Sequence, residues 1–193
     1  MTPNIFVCGL RHAGKDTAAD AILSVFPRAQ KIQIAAPVYA LAESRGMVGK
    51  VRGPLQAAGD DLRRWYGRDS LTTHLLLSTI TGEWACPDIR FPHEGQLLRE
   101  HGWIGLRIER PENERLASLA AVGEDTSGEV SLHATEMSVD AVPVDLVIQN
   151  DGTREDLAAK VLAAVLEIRS RRGVVDIAGI GADAYDTYAV GGA

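Results

Sequence analysis

Ile5-Phe6-Val7-Cys8-Gly9-Leu10-Arg11-His12-Ala13-Gly14-Lys15-Asp16-Thr17 is the stretch whose reading decides the fold. Four apolar residues, 5–8, read as a buried strand that runs straight into a phosphate-binding loop. Gly9, Gly14 and Lys15 take the fixed positions of G-x-x-x-x-G-K-[ST]. In that motif glycines let successive backbone N–H groups curl around an anion and the lysine reaches the outer phosphates. Arg11, His12 and Ala13 complete the cradle. Residues 18–26 continue with apolar side chains at helical spacing, which sets the positive end of a helix under the same phosphates. Position 16 is Asp where the motif has Ser or Thr. Mg²⁺ accepts hard oxygen ligands and keeps several waters, so Asp16, directly or through water, and the Thr17 hydroxyl are the metal candidates.

Working outward, 193 residues with 46% hydrophobic and 24% charged side chains suit one globular domain with a full core and a small mobile insertion. No apolar run approaches the length that spans a bilayer, and the first residues lack a basic segment followed by a cleavage site. The expected setting is the cytosol, with no membrane partner. Cys8 and Cys86 fall on two strands and read as small buried hydrophobes, while five scattered histidines have no zinc-site spacing. A net charge of −6 disfavours a stable nucleic-acid-binding surface.

Along the chain, 31–35 reads as a second strand and Pro37 opens a helix to about residue 44. Residues 55–66 place 55, 58, 62, 65 and 66 on one helical face. A further helix is expected over 70–81. Residues 84–89 form a buried strand ending on Asp88, a Walker-B-like placement interrupted by Pro87. A helix over 93–100, a strand over 103–109, a helix from Pro111, a polar mobile segment over 123–131 and a last strand over 144–149 follow. Thr153, with Asp156 three places on, makes an N-cap signature for a helix to about residue 172. The tail, 173–193, contains no Lys or Arg; it is either flexible or an arm packed on a second copy, and both monomer and homodimer are open. Together these describe a three-layer α/β/α fold built on a phosphate loop over 1–172, with a five-stranded parallel sheet, a mobile segment at about 110–135, and a site at the carboxyl ends of the strands.

Several separated segments resemble the phage-type deoxynucleoside monophosphate kinases, relatives of the nucleotide and dephospho-coenzyme A kinases. They are Gly9 to Thr17 with its GKDT ending, Leu55-Gln56 followed by Gly59, Asp88-Ile89-Arg90-Phe91-Pro92 with Glu94 after it, Arg107 to Pro111, His133 to Glu136, and Asn150 to Thr153. The resemblance implies small-molecule nucleotide substrates: γ-phosphoryl transfer from ATP with Mg²⁺ to a deoxynucleoside 5′-monophosphate. It places the acceptor phosphate on Arg90, whose alternative is a salt bridge to Glu94. It makes Arg107 and Arg110 lid arginines, against a plain solvated face. It gives the adenosine moiety to Asn150, Gly152 and Thr153, which turn and capping needs explain equally well. Gln56, Arg63 and Trp65 would meet the acceptor's base, although Trp65 also fits the core face of its helix. His133 and Glu136 would position the lid or the acceptor sugar, and Asp88 would lie near the metal. Dephospho-coenzyme A, a modified base, or a role as a non-catalytic ATP sensor are the competing readings.

Overall fold

A computed structural model describes residues 4–47, 49, 51–123 and 138–171. In chain order the elements are β1 (Ile5–Cys8), α1 (Lys15–Val25), β2 (Ala29–Lys31), α2 (Ala36–Ser44), α3 (Arg52–Tyr66), α4 (Ser70–Ser78), β3 (Glu83–Ile89), α5 (Pro92–Glu100), β4 (Ile104–Glu109), α6 (Glu112–Ala121), a 3₁₀ turn (Val139–Ala141), β5 (Leu146–Gln149) and α7 (Arg154–Arg171). The five strands form one parallel sheet in the order β2-β3-β1-β4-β5, so the strand carrying the phosphate loop lies at its centre.

Alternation along the buried strands divides the core into two layers. Ile5, Val7, Ile104, Leu106 and Ile108 pack against Ile22 of α1 and Leu157, Val161 and Val165 of α7. Phe6, Cys8, Cys86 and Ile89 face Val38, Leu71, Leu75 and Leu98 of α2, α4 and α5 on the opposite side. Phe6 is fully buried, and a side chain at Gly105 would come within 2.4 Å of its ring, so β4 lies close only because position 105 has no Cβ.

Pro87 sits inside a strand flanked on both sides, where a missing N–H is normally excluded. The register explains its tolerance. Phe6 pairs with Cys86 but Cys8 pairs with Ile89, so two residues of β3, Pro87 and Asp88, oppose the single Val7. This is a β-bulge, and the proline occupies it.

The expected second strand moves upstream, to Ala29–Lys31. Ile32 still donates to the Ala85 carbonyl (3.0 Å), but the N–H groups of Ile34 and Ala35 turn to the Asp88 carboxylate (3.0 and 3.1 Å), which ends the ladder and starts α2. The expected apolar face of α3 is also shorter. Leu55, Ala58 and Leu62 join the core, whereas Trp65 is 53% exposed and Tyr66 73% exposed. Trp65 is therefore not a core residue; the Arg45 guanidinium lies 5.4 Å from its ring centre instead. Both cysteines are buried and free. No helix among the described residues is long and apolar enough to cross a membrane. The part of the expected lid after residue 123, and the tail, lie outside the described residues; the part before it contains α6.

Candidate active site

The loop between β1 and α1 has the backbone of an anion cradle. Gly9 has φ +145°, and a Cβ there would stand 2.4 Å from the Ile108 carbonyl oxygen of the neighbouring strand. Gly14 has φ +106°, and a Cβ there would meet the Asn150 amide nitrogen at 2.6 Å and Leu157 at 2.9 Å. Only glycine fits either place. His12 adopts φ +58°, the sole positive value at a non-glycine residue among those described, a strained conformation that recurs at functional loops. Gly14 caps α1 without any side chain, so the N–H groups of the first turn face outward uncapped.

Positive charge gathers around this loop. The Lys15 ammonium donates to the Leu10 carbonyl (2.7 Å), crossing its own turn. Burial, and then the charges of Arg11, Lys15, Arg110 and Arg115, hold the His12 imidazole below its ordinary pKa. Burial pushes the Cys8 thiol up to about 12, and Arg107 and Lys15 are near enough to oppose that rise. Arg115 was not anticipated from the sequence. It is 8% exposed, and no carboxylate among the described residues pairs with it, Glu114 being taken by Arg110 (3.3 Å). Its signal lay in register: it stands four residues before the buried Leu119, on the inner face of an amphipathic helix where a charge is unexpected.

Asp16, offered as a metal ligand, is 80% exposed on its side chain and pairs with Lys31 (2.8 Å). Although burial opposes it, that carboxylate raises the Lys31 pKa. Thr17 follows in the first turn of α1, partly exposed. A Mg²⁺ ion that accompanies a nucleotide draws most of its ligands from phosphate and water, so one hydroxyl at this place fits it. No group of three His, Cys, Asp or Glu side chains among the described residues could hold a metal unaided. Asp88 reaches the end of β3 as expected, but its oxygens are occupied by the Ile34 and Ala35 N–H groups and by the Cys86 thiol, whose sulfur donates at 3.2 Å. Burial raises its pKa in spite of these bonds.

Arg90 stands exposed immediately past β3, beside the strand that feeds the phosphate loop. Its expected alternative partner is already engaged. Glu94, 2% exposed, accepts the Arg90 and Phe91 N–H groups on one oxygen (3.1 Å each) and the Arg63 guanidinium on the other (3.2 Å). The Arg90 guanidinium is left without an ion pair among the described residues. Arg63, offered to the acceptor's base, is thus tied to Glu94 and also lies 4.6 Å over the Phe91 ring. Gln56 is partly buried on α3.

Arg107, offered as a lid arginine, lies within β4, bonded to Glu109 (2.9 Å) and to the Asp140 carbonyl (2.8 Å), so it pins the 3₁₀ turn. Arg110 stands past the strand, on Glu114 and 3.5 Å from the Ser118 hydroxyl. Asn150 donates its amide to the Ala13 carbonyl (2.8 Å) and so buttresses the phosphate loop. Thr153 and Asp156 cap α7 reciprocally, and a Cβ at Gly152 would stand 2.7 Å from the Asp156 carboxylate. His133 and Glu136 lie outside the described residues.

The same architecture occurs in solved structures. A gluconokinase from Sinorhizobium meliloti 1021 superposes with a TM-score of 0.60 over 90% of this chain and 97% of its own, at 13% identity. A tunicamycin resistance protein from Deinococcus radiodurans gives 0.59 over 86% and 96%, at 14% identity. The fold is that of the P-loop kinases. An APS kinase from Mycobacterium tuberculosis, solved with AMPPNP and APS, shares the P-loop kinase fold at a TM-score of 0.51 and 17% identity, over 86% of this chain and 99% of that one. No protein-family model matches the chain, and no curated protein matches it.

Proposed function

We propose that this chain transfers the γ-phosphoryl group of ATP to the 5′-phosphate of a deoxynucleoside monophosphate. The observation that carries this reading is a pair of separate cationic sites at the carboxyl edge of the sheet. One is the phosphate loop with Lys15 and the buried Arg115; the other is the bare guanidinium of Arg90 past the next strand. Phosphoryl transfer asks the protein chiefly to align two phosphates and neutralise their charge. Loop N–H groups and Lys15 hold the donor, Arg115 of α6 and Arg110 just before that helix cover it, and the planar fork of Arg90 grips the acceptor phosphate. The Thr17 hydroxyl would help to hold a Mg²⁺ ion arriving with the nucleotide, and that ion would supply further charge neutralisation.

The three carboxylates at or just past the ends of β3 and β4 are engaged, which suits a phosphate acceptor. A hydroxyl acceptor benefits from a carboxylate free to take its proton, yet Asp88, Glu94 and Glu109 are each occupied: Asp88 by backbone N–H groups, Glu94 by Arg63, Glu109 by Gln149 and Arg107. A phosphate acceptor is already ionised and needs no base. The deoxynucleotide itself rests on the resemblance in the DIRFP and NDGT segments.

The test is ADP release with ATP and Mg²⁺ in the presence of each of dAMP, dGMP, dCMP, dTMP and the ribonucleotides, beside Arg90→Ala. Stimulation by a deoxynucleotide, lost in the variant, is expected. A second reading, a kinase for another small molecule, is favoured by the names of the solved structures sharing this fold, gluconokinase and APS kinase among them. It gains if only a non-nucleotide or dephospho-coenzyme A stimulates turnover. ATP binding with no stimulation by any acceptor would favour a sensor.

A further inference from the structure

Glu94 is the most deeply buried carboxylate in the described structure, and its bonds converge on one short segment. Its Oε2 accepts the Arg90 and Phe91 N–H groups, which caps α5 from within its own first turn. Its Oε1 accepts from Arg63 of α3. The guanidinium of Arg63 lies on one side of Phe91, and the ring of His93 stacks with Phe91 at 5.4 Å and 24°. On the far side, the Ser138 hydroxyl approaches the Arg90 carbonyl at 3.4 Å. The Arg90 peptide is therefore held at both its N–H and its C=O, while the Arg90 side chain is left to solvent.

We propose that Glu94 is the positioning residue of the acceptor subsite, acting through Arg63 and the Arg90 peptide, so that Arg90 presents an unpaired guanidinium to a phosphorylated acceptor. This rests on the phosphotransferase reading above. The chemistry of the arrangement is directional. A carboxylate at 94 would attract whichever guanidinium reached it, and an Arg90 drawn onto Glu94 would be neutralised. Arg63 occupies that carboxylate first, from a neighbouring helix, and is held in place by the Phe91 ring. Arg63 and Glu94 thus act on the acceptor without touching it.

The experiment uses the full chain and three variants, Glu94→Gln, Arg63→Gln and the double variant. In Glu94→Gln the new amide faces a guanidinium, donor against donor, and in Arg63→Gln the carboxylate loses its countercharge. Each is expected to raise the acceptor KM at least tenfold while leaving the ATP KM within twofold. In the double variant two amides pair with each other, the backbone bonds to position 94 persist and no charge remains to capture Arg90. Its acceptor KM is expected to return to within about threefold of the parent, whereas Arg90→Ala is not rescued by either change. Equal rises in both KM values, or a double variant as impaired as the worse single, would overturn the proposal.

Amide hydrogen exchange at Arg90 and Phe91 supplies a readout independent of turnover. Protection is expected to fall at least tenfold in Glu94→Ala and to persist in the double variant. Unchanged exchange in Glu94→Ala overturns the proposal even if turnover is never found. Altered exchange with no acceptor found would instead retain the frame and reject the deoxynucleotide reading.

Discussion

Lys15 bends across its own loop to the Leu10 carbonyl, a bond that an incoming phosphate would replace with a stronger, charge-assisted one. Lys15→Ala is expected to lower phosphoryl transfer by about a thousandfold with an unchanged melting temperature, in keeping with the loss of a preorganised charge at the transition state. Steady-state kinetics beside a thermal melt checks it. His12 offers a pH signature. Its pKa is depressed in the free protein by burial and neighbouring cations. Bound polyphosphate favours the imidazolium, so the bound-state pKa is the higher of the two. Affinity therefore increases as pH falls through the bound-state value and levels off below the free one, by at most about tenfold for each unit separating them. Calorimetric titration of ATP from pH 8 to pH 6 is expected to show this slope in the parent and a weaker one in His12→Asn, a residue that also tolerates the left-handed backbone. The loop was legible in the sequence because its glycines and lysine are dictated by backbone geometry. Arg115 was not, since its importance comes from a register that only the packed helix reveals.

At the scale of elements, periodicity with cap and turn signals located the seven α-helices and four of the five strands described, missed the 3₁₀ turn, and misplaced β2, where tertiary bonds override local preference. Residues 32–35 have the apolar character of a strand, yet the ladder stops because the Asp88 carboxylate captures the next two N–H groups from a distance of more than fifty residues. Trp65 and Tyr66 continue the apolar stripe of α3 past the point where anything covers them, and both lie in the open. Trp65→Ser is accordingly expected to change stability by no more than about 0.5 kcal/mol in a denaturant titration. Gly105→Ala is expected to behave oppositely. A methyl group 2.4 Å from the Phe6 ring has nowhere to go without separating β4 from β1, and a loss of about 1–3 kcal/mol, the usual cost of overpacking, should appear in the same titration.

For the whole molecule, the proposed nucleotide site joins distant parts of the described chain: Asn150, after β5, bonds Ala13, before α1. A ligand seated there stabilises the entire fold. ATP at about one hundred times its Kd is expected to add about 2.7 kcal/mol, seen as a concentration-dependent rise in melting temperature. Absence of any rise would remove the loop from consideration as a nucleotide site. The bulge at Pro87 and Asp88 has a different kind of reach. A strand is a two-colour string, and the extra residue switches the colours once, so that Cys86 and Ile89, an odd number of steps apart, face the same layer. Pressing the same residues into a ladder without the bulge would reverse the parity beyond Cys86 and turn Ile89 to the opposite layer, whereas deleting one of the two bulge residues would restore the alternation. What looks like an irregularity in the ladder is the step that keeps Ile89 in the layer it packs into.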